Sequence, residues 1–260
     1  MHYIDNYLLN PTHKVSVTLI GVGGTGSQVL SGLARMHLAM VKLGHPGLHV
    51  IAYDADIVSE ANVGRQLFSP SDLGFNKAIL LISRINRFYG LSWEAIPVNY
   101  TKKYVSANHI SPSNILITCV DTAKARLEIS KIYTDSMTVF HNSFYKPFYW
   151  MDYGNSHSTG QVILGTVRPI QQPKSVNKLY ETLPTVTDMF PDLINADDDV
   201  QQGPSCSLAE ALSKQDLLIN STLAQFGIAL LWKMFREVRI SYHGAFINLS
   251  TFMVNPIRLQ

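Results

Sequence analysis

Short apolar runs and longer amphipathic stretches alternate along the first half of the chain. Residues 15–21 and 49–54 are brief apolar runs next to glycines or acids, a pattern typical of buried strands. Between them, residues 27–44 carry apolar side chains at helical spacing, and Gly44 and Pro46 follow, as they commonly do at helix ends. This stretch is therefore predicted to form a strand, a glycine turn, a helix and a second strand.

The same alternation continues to about residue 145. Residues 76–90 and 122–133 have the periodicity of helices, whereas residues 93–100, 114–121 and 138–144 have the composition of strands. The run at 114–121 is apolar nearly throughout, as expected of a central parallel strand with both faces covered. Strands alternating with helices over this length predict a Rossmann-like, doubly wound and mostly parallel α/β sheet.

The pattern changes in the second half of the chain. Residues 148–168 and 244–257 predict strands connected by polar turns, which indicates a mixed or antiparallel extension of the sheet. Residues 170–205 form a long irregular crossover segment rich in proline, aspartate, asparagine and glutamine, and residues 208–235 are strongly helical. We expect one domain over residues 1–260.

Four glycines, Gly21, Gly23, Gly24 and Gly26, separate the first predicted strand from the first helix. Their G-x-G-x-x-G spacing allows a tight turn and a close approach to a phosphate at the helix start, where N–H groups favour anions. A tight turn without a ligand is the alternative, but the position between a strand and a helix favours a nucleotide. Asp54, at the end of the next strand, stands where such folds hold the ribose hydroxyls.

A group of polar residues after Asp54 distinguishes the chain from a redox Rossmann protein. Its members are Asp56, Asn62, Arg65 and Gln66, with Lys77 further on. An arginine and a lysine near a phosphate-binding turn suit charge stabilisation on a triphosphate under attack. Each residue alone could be a solvated loop residue, but their joint placement favours an arranged site.

Asp121 ends the fourth predicted strand. The carboxyl ends of parallel strands meet at one edge of a sheet, so Asp121 is expected beside the glycine turn. A carboxylate there suits Mg²⁺ bound to phosphates. The sequence therefore predicts a site for ATP and magnesium and leaves an NAD-dependent redox enzyme as a distant alternative.

The ordered motifs of residues 17–126 resemble those of the adenylating superfamily of ThiF, MoeB and the ubiquitin-activating enzymes. The matching pieces are "GVGGTG", "DADIVSEANVGRQLF", the lysine of "DLGFNKA", and "CVDTAKAR". Within the superfamily, the chain is most similar to the ThiF-family proteins of bacterial PRTRC gene cassettes, a likeness that includes "MDYGN" and "TGQVILG".

The resemblance implies a role for each matching position. It implies that the glycines line the nucleotide, that Asp54 binds the ribose, and that Asp121 coordinates Mg²⁺. It implies phosphate contacts from the polar group after the second strand, namely Asn62, Arg65 and Lys77, with Asp56 and Gln66 nearby. It further implies a homodimer that adenylates the C-terminal carboxylate of a ubiquitin-like or sulfur-carrier protein and releases pyrophosphate. Residues 15–145 would then be the nucleotide-binding half, and residues 146–260 the half for substrate binding and dimerisation.

The chain also departs from the family's pattern. "DT" at Asp121 and Thr122 replaces the usual "DN", and paired C-x-x-C motifs are absent, so no structural zinc is expected. The N-terminal R-Y-x-R-Q segment, which sends an arginine into the partner protomer's site, has no clear counterpart. A contribution across the dimer is therefore not indicated by the sequence.

The two cysteines receive different interpretations. Cys119 lies in an apolar strand and is expected to be a small buried side chain. Cys206 lies in "PSCS" at the start of a predicted helix, where a thiol pKa falls. This motif resembles the P-x-C-T segment around the thioester-forming cysteine of eukaryotic activating enzymes. An acceptor of the activated acyl group and a cysteine without chemistry both stay open for Cys206.

Composition narrows the class of partner. The net charge of +2 provides no basic stripe for nucleic acid, and the apolar runs are too short or too interrupted to span a bilayer. With only two cysteines and no signal peptide, a cytoplasmic protein is expected. Two further alternatives stay open: adenylation of a small molecule or a modified tRNA nucleoside, and a nucleotide-sensing scaffold without activity.

Overall fold

The computed structural model of the protein describes residues 1–137, 146–174, 178–194 and 208–259. Within these residues, the strands β1 to β10 are His2–Tyr3, Val15–Ile20, Leu48–Tyr53, Glu94–Ile96, Ile115–Thr118, Tyr149–Asn155, Thr159–Thr166, Arg239–Ile240, Tyr242–Asn248 and Met253–Arg258. The helices α1 to α8 are Asn6–Leu9, Gly24–Lys42, Lys77–Tyr89, Lys102–Ala107, Ala123–Met137, Val186–Met189, Leu208–Lys214 and Ile219–Glu237.

Eight of the described strands form one sheet in the order β10-β9-β7-β6-β5-β2-β3-β4. Strands β4, β3, β2, β5 and β6 are neighbours in the sheet and run parallel to one another. Strands β7, β9 and β10 extend the sheet with antiparallel pairing. The predicted Rossmann-like sheet with an antiparallel extension is therefore confirmed. The chain passes from β2 to β3 on one side and returns to β5 on the other, which opens a crevice at the carboxyl ends of β2 and β5.

Two apolar clusters cover the two faces of this sheet. Because side chains alternate along a strand, Ile115 and Ile117 of β5 join one cluster while Leu116 joins the other. Helices α2, α3 and α8 contribute to the first cluster, and α5 contributes Ile129 and Tyr133 to the second. Both faces of the central strands are thus buried, which explains why their sequences are mostly apolar.

Three predicted elements differ from the structure or fall outside it. The strand predicted at 93–100 is only Glu94–Ile96 long, since Pro97 cannot donate a ladder hydrogen bond. The helix predicted at 208–235 is two helices, α7 and α8, with a break at residues 215–218. The strand predicted at 138–144 lies outside the described residues.

A buried ion pair joins α5 to β6. Arg126 Nε donates to both carboxylate oxygens of Asp152, at 3.1 and 3.0 Å, and Nη2 donates to the carbonyl of Tyr153. Thr118 Oγ1, at the end of β5, donates to Asp152 Oδ1 at 2.5 Å, and Trp150 Nε1 donates to Thr118 Oγ1. The Asp152 side chain is fully buried, so its charge depends on these partners.

Substitution of Arg126 by methionine is expected to lower the free energy of unfolding by about 3–5 kcal/mol, because it leaves the Asp152 carboxylate buried without a cation. Urea denaturation of the purified variant measures this change. Lys102→Met is the matched control, since Lys102 pairs with Asp135 at the surface, and a change within about 0.5 kcal/mol is expected. Equal losses in the two variants would contradict the structural role of the buried pair.

Candidate functional site

A cleft of about 1020 Å³ lies at the carboxyl ends of β2, β3 and β5. It is lined by residues from the glycine turn, the loop after β3, the turn after β5 and the break between α7 and α8. Nine of the predicted site residues are among its lining: Gly21, Gly23, Gly24, Asp54, Asp56, Arg65, Gln66, Lys77 and Asp121. The structure therefore brings together residues that are 100 positions apart along the chain, from Gly21 to Asp121.

The glycine turn closes directly onto the end of β5. Gly21 has a φ of +84°, and a Cβ built there would lie 2.6 Å from the carbonyl oxygen of Cys119. A Cβ on Gly26 would lie 1.9 Å from the carbonyl oxygen of Gly21. Gly26 does not line the cleft, so glycine is needed at this position to close the turn and not to contact a ligand. Helix α2 begins at Gly24, and its N-terminus lies at the cleft.

Asp54 connects the glycine turn to the loop after β3. Its Oδ2 accepts a hydrogen bond of 2.7 Å from Val22 N, and its Oδ1 accepts one of 2.8 Å from Asp56 N. Burial raises the pKa of the Asp54 carboxyl, and the two backbone donors act in the opposite direction. The side chain is thus held at the position where Rossmann folds contact a ribose.

The loop after β3 is closed at its base by Asn76 and Lys77. Asn76 Oδ1 accepts from Ile79 N at the start of α3, and its Nδ2 donates to the carbonyl groups of Asp54 and Asp56. Lys77 Nζ lies 2.9 Å from Asp56 Oδ2, and the lysine side chain is only 8% exposed. In this structure, the charge of Lys77 is therefore already paired with Asp56.

Arg65 differs from Lys77 in its partners. Its Nη1 donates to Gln215 Oε1, and within the described residues it has no carboxylate at ion-pair distance. Its Nε is buried and, among the described atoms, has no hydrogen-bond acceptor. Burial lowers the pKa of Arg65, although Asp121 acts to raise it. A desolvated guanidinium with an open donor suits an anionic ligand.

Asn62 and Gln66 flank this arginine with different roles. Asn62 does not line the cleft, and its Oδ1 accepts from the backbone N and the hydroxyl of Ser59, which caps the turn Glu60–Asn62. Gln66 lines the cleft, and its Oε1 is buried without a donor among the described residues. The structure therefore gives Asn62 a part in shaping the loop, whereas Gln66 faces the ligand space.

Asp121 stands at the boundary between the cleft and a second cavity of about 380 Å³. Both spaces are lined by Val120, Asp121, Asn155 and Ser156. Beyond Asp121, the second cavity runs over β6, β7, β9 and β10, with Phe246 among its lining. Among the described residues, no three histidine, cysteine, aspartate or glutamate side chains form a cluster that could hold a metal ion.

Among the residues of the cleft that sequence reasoning missed are four polar residues that line or support it. Thr25, Gln215 and Asn220 line it, and Asn76 holds the base of the loop. Asn76 carries a recognisable signal, because asparagine just before a helical run is a common N-cap. Gln215 and Asn220 carry none, since their place in the cleft depends on how α8 packs against α2.

The two cysteines are placed differently by the structure. Cys119 lines the cleft beside Gly21, and burial raises the pKa of its thiol well above the ordinary value, with Asp152 and Asp121 acting in the same direction. The thiol is therefore protonated at neutral pH and a poor nucleophile. Cys206 lies outside the described residues.

The profile of the ThiF family matches residues 7–257, nearly the whole chain. The chain belongs to the ThiF family. Two curated relatives are ubiquitin-like modifier-activating enzymes 5. The enzyme of Oryza sativa subsp. japonica is 25% identical over 144 residues, and that of Arabidopsis thaliana is 26% identical over 147. Each alignment covers 50% of this ThiF-family chain and 32% of the relative, so the chain spans about a third of their length.

Solved structures share the fold of this ThiF-family protein. PaaA superposes with a TM-score of 0.56 at 15% identity, covering 94% of this chain and 64% of PaaA. E. coli MccB with MccA-N7isoASN gives 0.55 at 17% identity, covering 94% and 64%. E. coli MccB with ATP gives 0.55 at 16% identity, covering 97% and 65%. None of the helices among the described residues has the length and apolar character needed to cross a membrane.

The Cys206→Ser variant, which retains Cys119 alone, tests the state of that thiol. At pH 7.5, iodoacetamide should label the folded variant at least about tenfold more slowly than the urea-unfolded one, because the raised pKa keeps the thiolate scarce. The labelling rate should rise only at alkaline pH. Mass spectrometry follows the reaction, and equal rates for folded and unfolded protein at pH 7.5 would contradict the assignment.

Proposed function

We propose that the protein is an ATP-dependent adenylating enzyme that activates the C-terminal carboxylate of a small ubiquitin-like or sulfur-carrier protein. The observation that carries the proposal is the convergence of Arg65, Lys77 and the glycine turn in one cleft with Asp121. Arg65 is partly desolvated and lacks a carboxylate partner among the described residues, which suits a polyphosphate. Membership of the ThiF family supports the same reaction class.

The nucleotide would lie along the carboxyl ends of β2 and β3. Backbone N–H groups at the start of α2 would contact its phosphates, and Asp54 would accept hydrogen bonds from the ribose hydroxyls. Arg65 and Lys77 would face the phosphates from the opposite loop, with Gln66 as a further neutral contact. E. coli MccB, a protein of the same fold, has been solved with ATP, which supports a nucleotide as the ligand.

Magnesium fits the donor set of the cleft. Mg²⁺ commonly uses one or two carboxylates together with substrate phosphates, and Asp121 is a carboxylate at the cleft that no cation of the described chain pairs within ion-pair distance. Asp121 would hold the ion. When bound, it would neutralise part of the phosphate charge.

The second cavity would receive the C-terminal tail of the partner protein. Its lining includes several neutral polar side chains, among them Asn155, Gln161 and Asn248, which suit the backbone of an extended peptide. It meets the nucleotide cleft at Asp121, so a carboxylate entering there would reach the phosphates. E. coli MccB has been solved with MccA, and the curated relatives are named for activating a ubiquitin-like modifier.

The reaction joins a carboxylate oxygen to the α-phosphorus of ATP. The bond from that phosphorus to the bridging oxygen breaks, pyrophosphate leaves with the electron pair, and an acyl adenylate forms. Arg65 and Lys77 would stabilise the negative charge that develops on the phosphates. Residues 15–145 would supply the nucleotide site, and residues 146–260 the tail cavity and a homodimer surface.

A transfer step to Cys206 extends the proposal. The thiolate of Cys206 would attack the acyl carbon of the adenylate, so that a thioester forms and AMP leaves. The support for this step is the sequence motif alone, because Cys206 lies outside the described residues.

Exchange of radiolabelled pyrophosphate into ATP, measured with a panel of small proteins ending in Gly-Gly, tests the function. Exchange that depends on one of them is the expected result, and exchange should persist in Cys206→Ala, because that residue is not needed for the adenylate. A thiol-sensitive adduct present in wild type and absent from Cys206→Ala would establish the transfer step. Protein that neither binds ATP nor supports exchange would overturn the proposal.

Lys77→Met should reduce the exchange rate by about a hundredfold, since a donor to the developing phosphate charge is lost. The rate constant and the KM for ATP are measured with the partner protein that supports exchange. Lys102→Met is the control, because Lys102 pairs with a carboxylate at the protein surface. Its exchange rate should be nearly unchanged. A Lys77→Met enzyme within twofold of wild type would exclude this role.

A further inference from the structure

A chain of side-chain hydrogen bonds runs from the glycine turn to Arg65. Thr25 Oγ1 and Asn155 Nδ2 donate to Asn220 Oδ1 at 2.8 and 3.1 Å. Asn220 Nδ2 donates to Gln215 Oε1 at 2.8 Å, and Arg65 Nη1 donates to the same oxygen. One residue of the nucleotide turn is thus connected to the cationic side chain on the opposite wall.

The direction of each hydrogen bond in this chain is determined by its neighbours. Because Asn220 Oδ1 accepts two hydrogen bonds, its amide nitrogen faces Gln215. Gln215 must then present its carbonyl oxygen, which is also the only group of its amide that a guanidinium can donate to. A neutral oxygen therefore holds Arg65, and the arginine retains its full charge for a ligand.

Packing keeps the chain of amides in place. Asn220 is buried, and a Cβ built on Gly24 would lie 2.6 Å from its Nδ2, so the glycine at this position allows Asn220 to approach the turn. Gln215 lies at the break between α7 and α8. The next residue, Asp216, donates its N–H to the carbonyl of His157 at 2.7 Å and accepts from Leu218 N at 2.8 Å.

We propose that Gln215 and Asn220 are positioning residues for Arg65, and that they orient its guanidinium towards the polyphosphate without neutralising it. The inference rests on the proposed function, because it concerns the binding of ATP in the same cleft. A cation gains more from the triphosphate of ATP than from the single phosphate of AMP. The orientation of Arg65 by Gln215 and Asn220 should therefore favour the binding of ATP over AMP.

Gln215→Met removes the acceptor oxygen at nearly constant volume. By calorimetry with magnesium, its affinity for ATP should fall about tenfold, because a charge-assisted hydrogen bond is lost, while its affinity for AMP changes less than about twofold. Gln225→Met is the matched control: Gln225 also accepts from an arginine, Arg35, but on the exposed surface of α8. It should bind both nucleotides as wild type does.

A double-variant cycle shows whether Gln215 acts through Arg65. Arg65→Met should weaken ATP binding, and Arg65→Met/Gln215→Met should be no weaker than Arg65→Met by more than about twofold. Additive losses would overturn the proposal, since Gln215 would then contribute independently of the arginine.

Gln215→Glu provides a second test that does not depend on the stability of Gln215→Met. It retains an acceptor for Arg65 but adds a charge that pairs with it, so ATP affinity should fall at least about tenfold and AMP affinity much less. If both Gln215 variants bind ATP with wild-type affinity, the positioning role is overturned while the proposed function stands. If the wild-type protein fails to bind ATP, both the proposed function and the positioning role are overturned.

Discussion

One buried carboxylate, Asp152, determines the shape of the turn on which both cavities depend. It accepts hydrogen bonds from Thr118, at the end of β5, and from Arg126, in the second turn of α5. Asp121 lies between these two residues along the chain, so both ends of its turn are attached to the same side chain of β6. The exposed residue at the meeting point of the two cavities is thus supported by an ion pair whose carboxylate is fully buried.

Arg65 and Lys77, two of the cationic side chains that line the cleft, are held by partners of opposite character. Lys77 is paired with the carboxylate of Asp56, whereas Arg65 is held by the neutral oxygen of Gln215. A polyphosphate therefore meets one cation whose charge is available at once and one that must exchange its carboxylate for the phosphates. The exchange is possible because Asp56 is mostly exposed and can be solvated when the lysine leaves it.

The sequence predicted the parts of the site that follow from strand order. Asp54 and Asp121 follow parallel strands, and the glycines follow another, so the sheet alone brings them to one edge. Arg65 and Lys77 were also predicted, because both follow the second predicted strand and match the motifs of the adenylating superfamily. Asn62 shows the limit of this reasoning. A polar residue next to a site can contact the ligand or stabilise the loop backbone, and only the observed contacts of Asn62 with Ser59 show that it does the latter.

The residues that the sequence did not predict come from packing between distant elements. Asn220 reaches the glycine turn because α8 lies along α2, and no local pattern in α8 marks it as different from other polar helix positions. Gln215 is the first residue of the break between α7 and α8, and the amphipathic pattern of residues 208–235 does not predict that break. A site on a Rossmann-like sheet therefore has two layers of determinants. Strand ends and the loop after β3 place the charged residues, and residues 215–220, in the other half of the chain, orient Arg65. Substitutions in residues 215–220 are expected to change which nucleotide is preferred without altering any residue of the family's motifs.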